Sequence, residues 1–173
     1  MLNIIHIKTE GDEMDKAIDD AMRIINLYPD IFPHMYKQGF KLKKYITKGG
    51  LINQNGVIIT FSRYKNSGKL SRNATTHKKA GDFILHQIAT DRSEPGATQK
   101  VLNEFVKYCK SHHAENLFLT VRAFNDRAVK FYERYGFVKD ADINWTSKKD
   151  GNIPGIIFRL KLVADKNIET VCI

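Results

Sequence analysis

The side chains best suited to chemistry concentrate in FNDRAVKFYERYGF, residues 124–137, which holds Tyr132 and Tyr135. A phenol of pKa about 10 can give a proton or a hydrogen bond to an anion of similar basicity, such as a thiolate. A second candidate is His86 in FILHQIATD, since an imidazole titrates near neutrality and can take a proton from an attacking amine. Asp82, immediately before that stretch, is the other candidate base. TDRSEPGATQKVL runs a strand directly into a helix, whose first N–H groups lack intrahelical partners and attract anions such as a pyrophosphate. Gly96 would let backbone and ligand approach closely there, and Pro95 is tolerated where no N–H is needed. Residues 65–80, KNSGKLSRNATTHKKA, carry Lys65, Lys69, Arg72, Lys78 and Lys79 and no acid. Such a segment can follow a phosphate backbone, although a charge run also serves as plain solvated surface.

The elements that must position these groups follow from period and punctuation. LNIIHIKT reads as a first strand. In DEMDKAIDDAMRIINLY, Met14, Ala17, Ile18, Ala21, Met22 and Ile25 fall at helical spacing, with Asp12 as the expected cap. After two prolines, residues 34–49 predict a second helix ending at Gly49 and Gly50. GLINQNGVIITFSRYK predicts two strands around Asn55 and Gly56, a strong hairpin signal. GDFILHQIATD follows as a strand, then a helix striped by Val101, Leu102, Phe105, Val106 and Cys109. ENLFLTVRAF predicts an inner strand. The tyrosine stretch predicts a helix capped by Asn125 and closed by Gly136. GFVKDADINWTS and PGIIFRLKLV predict an antiparallel pair around KKDGN. The order βααβββαβαββ indicates an α/β (α+β mixed-sheet) layered domain over residues 1–163, with 164–173 as a tail.

Composition bounds the rest. With 173 residues and a 42% apolar share, the chain suits one globular domain and not a disordered one. Its 28 basic and 19 acidic residues give +9, which favours anionic partners such as a nucleotide cofactor, a nucleic acid or an acidic surface. Cys109 and Cys172 form no CxxC pair and no zinc-type cluster, so no metal is expected and a reducing cytoplasm fits best. The N-terminal stretch predicts no secretory leader, and no run predicts a membrane span.

Ala128, Phe131, Tyr132 and Tyr135 share one helix face, which by spacing alone reads as a packing stripe. Yet Asn125-x-x-Ala128-x-x-Phe131-Tyr132-x-x-x-Gly136-Phe137, placed after a strand-loop-helix-strand unit, resembles the C-terminal motif of the GCN5-related N-acetyltransferases (the GNAT superfamily). The resemblance is sharpest over residues 82–137. It implies a GNAT-like acyl-CoA N-acyltransferase fold with acetyl-CoA in a V-shaped gap between FILHQIAT and NLFLTVRA. The cofactor's arm would lie along Ile88 and Ala89 beside Asn125, and its pyrophosphate near Arg92, Ser93, Gly96, Ala97 and Thr98. Tyr132 would protonate the leaving thiolate, with His86 or Asp82 as base. Against the family's Gln/Arg-x-x-Gly-x-Gly/Ala, residues 93–98 keep only the middle glycine. The resemblance thus predicts acetyl transfer to a small-molecule, protein or nucleic-acid amine. Two other readings stay open: a phage-type nucleic-acid base-modifying protein, in which Lys65, Lys69, Arg72, Lys78 and Lys79 would hold DNA or RNA, and a non-catalytic binding module.

Overall fold

The computed structural model describes residues 2, 4–6, 11–148 and 151–162. The element order is β1 (Ile4–His6), α1 (Asp12–Ile25), α2 (Gly39–Lys48), β2 (Gly49–Gln54), β3 (Val57–Arg63), β4 (Gly68–Lys69), β5 (His77–Lys78), β6 (Phe83–Thr90), α3 (Ala97–Ser111), β7 (Asn116–Arg122), α4 (Asp126–Tyr135), β8 (Val138–Ser147) and β9 (Gly151–Lys161). This is the expected mixed α/β order with one addition. The basic segment 65–80 folds back as the small β4–β5 ribbon. The domain end expected at 163 and the tail 164–173 lie outside the described residues.

The main sheet has seven strands in the order β1-β2-β3-β6-β7-β9-β8. Only β6 and β7 run parallel; the other neighbours are antiparallel. The hairpin joining β2 to β3 turns at Asn55 and Gly56, both with positive φ, as a tight two-residue turn requires. One face of the sheet packs α3 and α4 through Phe61, Phe83, Leu85, Val101, Phe105, Leu119 and Phe158. The other face packs α1 and α2 through Ile18, Ile25, Leu42, Ile46 and Ile58. The segment 65–80 lends Leu70 to a smaller cluster with Tyr64, Phe118 and Ile157. Asp140 pins that segment by accepting from Thr75 Oγ1 at 2.8 Å and Thr76 N at 3.1 Å.

Local chemistry moved two expected boundaries and met a third. Gly11, not Asp12, caps α1; Asp12 sits in the first turn with Glu13 and Asp15, where negative charge meets the positive end of the helix dipole. The second helix begins only at Gly39, because Lys37 takes a left-handed φ of 55° and donates its N–H to Asn26 Oδ1 at 2.9 Å. Gly49 ends α2 as expected, its N–H donating to the Ile46 carbonyl, and it also opens β2. Its backbone is extended (φ −157°), and a Cβ there would lie 1.8 Å from the Phe61 carbonyl oxygen.

The feature that shapes the site is a bulge in β6. Phe61 stands opposite Leu85, and the preceding Thr60 stands opposite Gln87, so His86 is an extra residue. Before it, Phe83 and Leu85 face the α3 side; beyond it, Ile88 does so and Ala89 joins the α1–α2 core. Gln87 N donates to Thr60 Oγ1 at 3.1 Å, and the Thr60 hydroxyl donates to the Gln87 side chain, locking the irregularity in a buried position.

Candidate active site

The parallel pairing of β6 with β7 covers Phe83, Ile84 and Leu85 against Leu117, Phe118 and Leu119, and goes no further. From His86 and Thr120 onward the strands diverge. Asp82 closes the narrow end. It is 1% exposed and accepts from Lys79 N (2.7 Å), Glu115 N (3.0 Å), Asn116 N (2.9 Å) and Asn116 Nδ2 (3.0 Å). A carboxylate held by that many donors at the shut end of the gap is a brace for the strand starts, and it does not line the cavity.

The open end holds a cavity of about 570 Å³. Leu85, His86, Gln87 and Ile88 of β6 line it, with Thr120, Val121 and Arg122 of β7, Asn125, and Ala128 and Tyr132 of α4. The far wall comes from Phe32, His34, Tyr45, Trp145, Ser147 and Ile153. Residues of both sheet faces contribute, so the cavity passes through the sheet where the strands part.

Tyr132 is placed by the caps of α4. Asn125 Oδ1 accepts from Ala128 N at 3.3 Å, and Gly136 (φ 116°) ends the helix, sending Phe137 N back to the Tyr132 carbonyl at 3.0 Å. The Tyr132 ring packs on Phe131, Phe137 and Phe158. Burial raises its pKa well above the ordinary phenol value, so its oxygen keeps the proton at neutral pH. Among the described residues nothing hydrogen-bonds that hydroxyl. Tyr135 instead gives its hydroxyl hydrogen to Asn103 Oδ1 at 2.7 Å, a packing role.

His86 lies on the wall toward α2, its ring 4.8 Å from that of Tyr45 and its Nε2 2.6 Å from Ser62 Oγ. Burial first, and the charge of Lys48 second, hold its pKa down to about 4. The imidazole is therefore neutral and a weak base. His34, across the cavity, also has a lowered pKa, from burial and then from the charges of Arg122 and Lys41.

The loop between β6 and α3 is held from the side. Asp91 N donates to the Gly56 carbonyl at 2.9 Å, and Asp91 Oδ1 accepts from Ser93 N at 2.9 Å. Gly56 is required by contact as well as by φ, since a Cβ there would lie 2.1 Å from Asp91 Oδ1. Arg23 meets Asp91 at 3.3 Å. Hydrogen bonds from Ser93, then Arg23, keep the Asp91 carboxyl below its usual range. Gly96 (φ 75°) caps α3 with open space where a side chain would stand. Glu94 pairs with Lys100 at 3.7 Å, which offsets its negative charge beside the helix start.

Of the residues singled out in the sequence, Tyr132, His86, Ile88 and Asn125 meet at the cavity. Arg92, Ser93, Gly96, Ala97 and Thr98 gather at the start of α3. Lys65, Lys69, Arg72, Lys78 and Lys79 do not line the cavity. Lys79 pairs with Glu115 at 2.6 Å, and Lys78 sits 4.8 Å over the Tyr64 ring. The sequence reading missed Arg122, Trp145, Ser62 and Lys100; only the tertiary fold brings the first two to the same cavity. Among the described residues no group of His, Cys, Asp or Glu is arranged to hold a metal ion, and no helix is long and apolar enough to cross a membrane.

Residues 26–137 match the family model described as Acetyltransferase (GNAT) family. No curated protein matches the sequence. Among solved structures, the ribosomal-protein-S18-alanine N-acetyltransferase from Escherichia coli is similar with TM-score 0.59 at 20% identity, over 97% of this chain and 99% of that one. Ard1 from Thermoplasma volcanium gives TM-score 0.61 at 19% identity, over 94% and 98%. An acetyltransferase from Bacillus subtilis in complex with CoA gives TM-score 0.57 at 11% identity, over 94% and 100%. At these identities the likeness is one of fold.

Proposed function

The chain belongs to the acetyltransferase (GNAT) family, and on that premise we propose that it moves an acetyl group from acetyl-CoA to an amine bound in the through-sheet cavity. The observation that carries this reading is the parting of β6 from β7 at the bulge, with the Tyr132 hydroxyl on one wall and His86 on the other.

The residues present fit acetyl-CoA. Beyond Leu85, the edge of β6 toward β7 has no strand partner, so its backbone groups around Ile88 and Ala89 are free to hold an amide-bearing arm beside Asn125. The first turn of α3 offers amides and the positive end of a helix dipole, with Gly96, Ala97 and Thr98 at the turn and Ser93 beside it. Arg92 adds positive charge beside Ser93, which stands where the family's loop has Gln or Arg, and Lys100 offsets Glu94. Bound acetyl-CoA would supply an acyl thioester; the remaining work belongs to side chains of this chain.

Tyr132 holds its proton on Oη and presents it to the gap, where a leaving sulfur would develop charge. His86, neutral and hydrogen-bonded to Ser62, accepts a hydrogen bond from an incoming amine and orients its lone pair. With a pKa of about 4 it passes the proton on to solvent and does not store it. Phe32, Tyr45 and Trp145 keep water from the acyl group. A reducing cytoplasm suits the buried, free Cys109.

The test is calorimetric titration of the full chain with CoA and with pantetheine, which lacks the nucleotide and pyrophosphate. CoA should bind at least about tenfold more tightly, and Lys100→Ala or Arg92→Ala should erase part of that margin without changing pantetheine binding. Absence of CoA binding at millimolar concentration sinks the reading and leaves a non-catalytic module on the same fold. A nucleic-acid amine remains a special case of the acceptor, reaching the cavity without help from the 65–80 segment.

A further inference from the structure

The lining of the cavity carries a chemical signature beyond Tyr132 and His86. None of the lining residues is Asp or Glu, whereas Arg122 and His34 are both among them. Among the described residues, the Arg122 guanidinium makes no hydrogen bond and no ion pair; its contact is the Phe124 ring, 5.8 Å from Cζ. An unpartnered guanidinium in a cavity wall is a receptor for an oxyanion. Around it stand flat and apolar groups. Arg122 pairs in register with Gly155 on β9, and on the other side of Gly155 lies β8. The Trp145 ring covers Gly155 so closely that a Cβ there would lie 2.3 Å from Cζ3. Tyr45, Phe32 and Ile153 complete the surround.

We propose that the acceptor is a small amine with an aromatic or apolar body and an oxyanion group, the oxyanion bound by Arg122 and the body lying against Trp145 and Tyr45. This rests on the acyl-transfer reading of the same cavity and adds the acceptor's class to it. Polyamines and other polycations are rejected, because the cavity offers a cation and no carboxylate to meet them. The oxyanion can be a carboxylate or a phosphate, and the two are separated by experiment.

Trp145 is the only tryptophan in the chain, so its indole N–H resonance reports directly on this wall. The full-length protein is titrated with L-phenylalanine, phenethylamine, AMP, adenosine and spermidine while that resonance is followed. L-phenylalanine, AMP or both should shift it. Removing the oxyanion, as in phenethylamine or adenosine, should weaken binding about ten- to a hundredfold, as should Arg122→Gln, with Arg122→Lys recovering part of the loss. A response to L-phenylalanine alone assigns a carboxylate, and one to AMP alone a phosphate. The proposal is overturned if the uncharged counterparts or spermidine bind as well, if Arg122→Gln binds like the parent, or if no probe moves the resonance. Acetyl transfer to spermidine would sink the acceptor class and leave acyl transfer standing. Probe binding in a protein that does not bind CoA would do the reverse.

Discussion

Ser62 Oγ lies 2.6 Å from His86 Nε2, a cross-strand contact between β3 and β6 made at the bulge. It holds a neutral imidazole in a half-buried place, and burial is the main reason that the ring resists a proton. Folded His86 should therefore titrate at about 4 and not at the ordinary value of 6.5, as read from its ring carbons by NMR. The unfolded chain binds this proton more readily than the folded one. Above pH 6.5 the group has no effect on stability; between 6.5 and 4 it erodes stability as pH falls, by about 3 kcal/mol at most. The difference in unfolding free energy between the parent and His86→Gln should follow that window. A flat difference from pH 7 to 4 would refute the depressed pKa.

Tyr132→Phe removes one oxygen that has no protein partner among the described residues, so the fold should tolerate it. Turnover should fall about a hundredfold, while affinity for acetyl-CoA stays within about twofold. Equal turnover in parent and variant would take Tyr132 out of the reaction.

Asp82→Ala separates a brace from a base. The loss strands the buried donors of Asn116 and the part-buried amides of Lys79 and Glu115, and should cost about 2–4 kcal/mol in chemical denaturation. At a temperature where the variant is folded, kcat should match the parent. A large drop in kcat with unchanged stability would restore Asp82 as a reacting group.

Gly155→Ala tests the seat of Trp145. The added methyl carbon would meet the indole ring and Ile143 Cγ1, at 2.3 and 3.1 Å, so the ring must move. Stability should drop by about 1–3 kcal/mol, and tryptophan emission should shift to the red as the ring leaves its place. Emission identical to the parent would show that Trp145 does not depend on this glycine.

Much of this fold was legible because local signals coincide with global ones. The Asn55-Gly56 turn, the caps of α4 and the apolar period of α3 each state a structure in their own few residues. The V-shaped gap followed from the resemblance, and the parting of β6 and β7 matches it in geometry. What escaped the sequence needed partners. Arg122 and Trp145 lie on different strands, and only the order β7-β9-β8 sets both beside Gly155. Asp82 reads like any acid before a strand until the donors of Asn116 arrive from β7. The 65–80 segment shows its charge plainly but not its attachment, which depends on Asp140 in β8.

Without His86, β6 would be an ordinary strand of unbroken alternation, since Leu85 already faces α3 and Gln87 already pairs with Thr60. The histidine is thus a supernumerary position, surplus to both cores. Substitutions there need satisfy neither packing layer, only Ser62, Tyr45 and whatever enters the cleft. The chain can vary residue 86 without renegotiating its architecture.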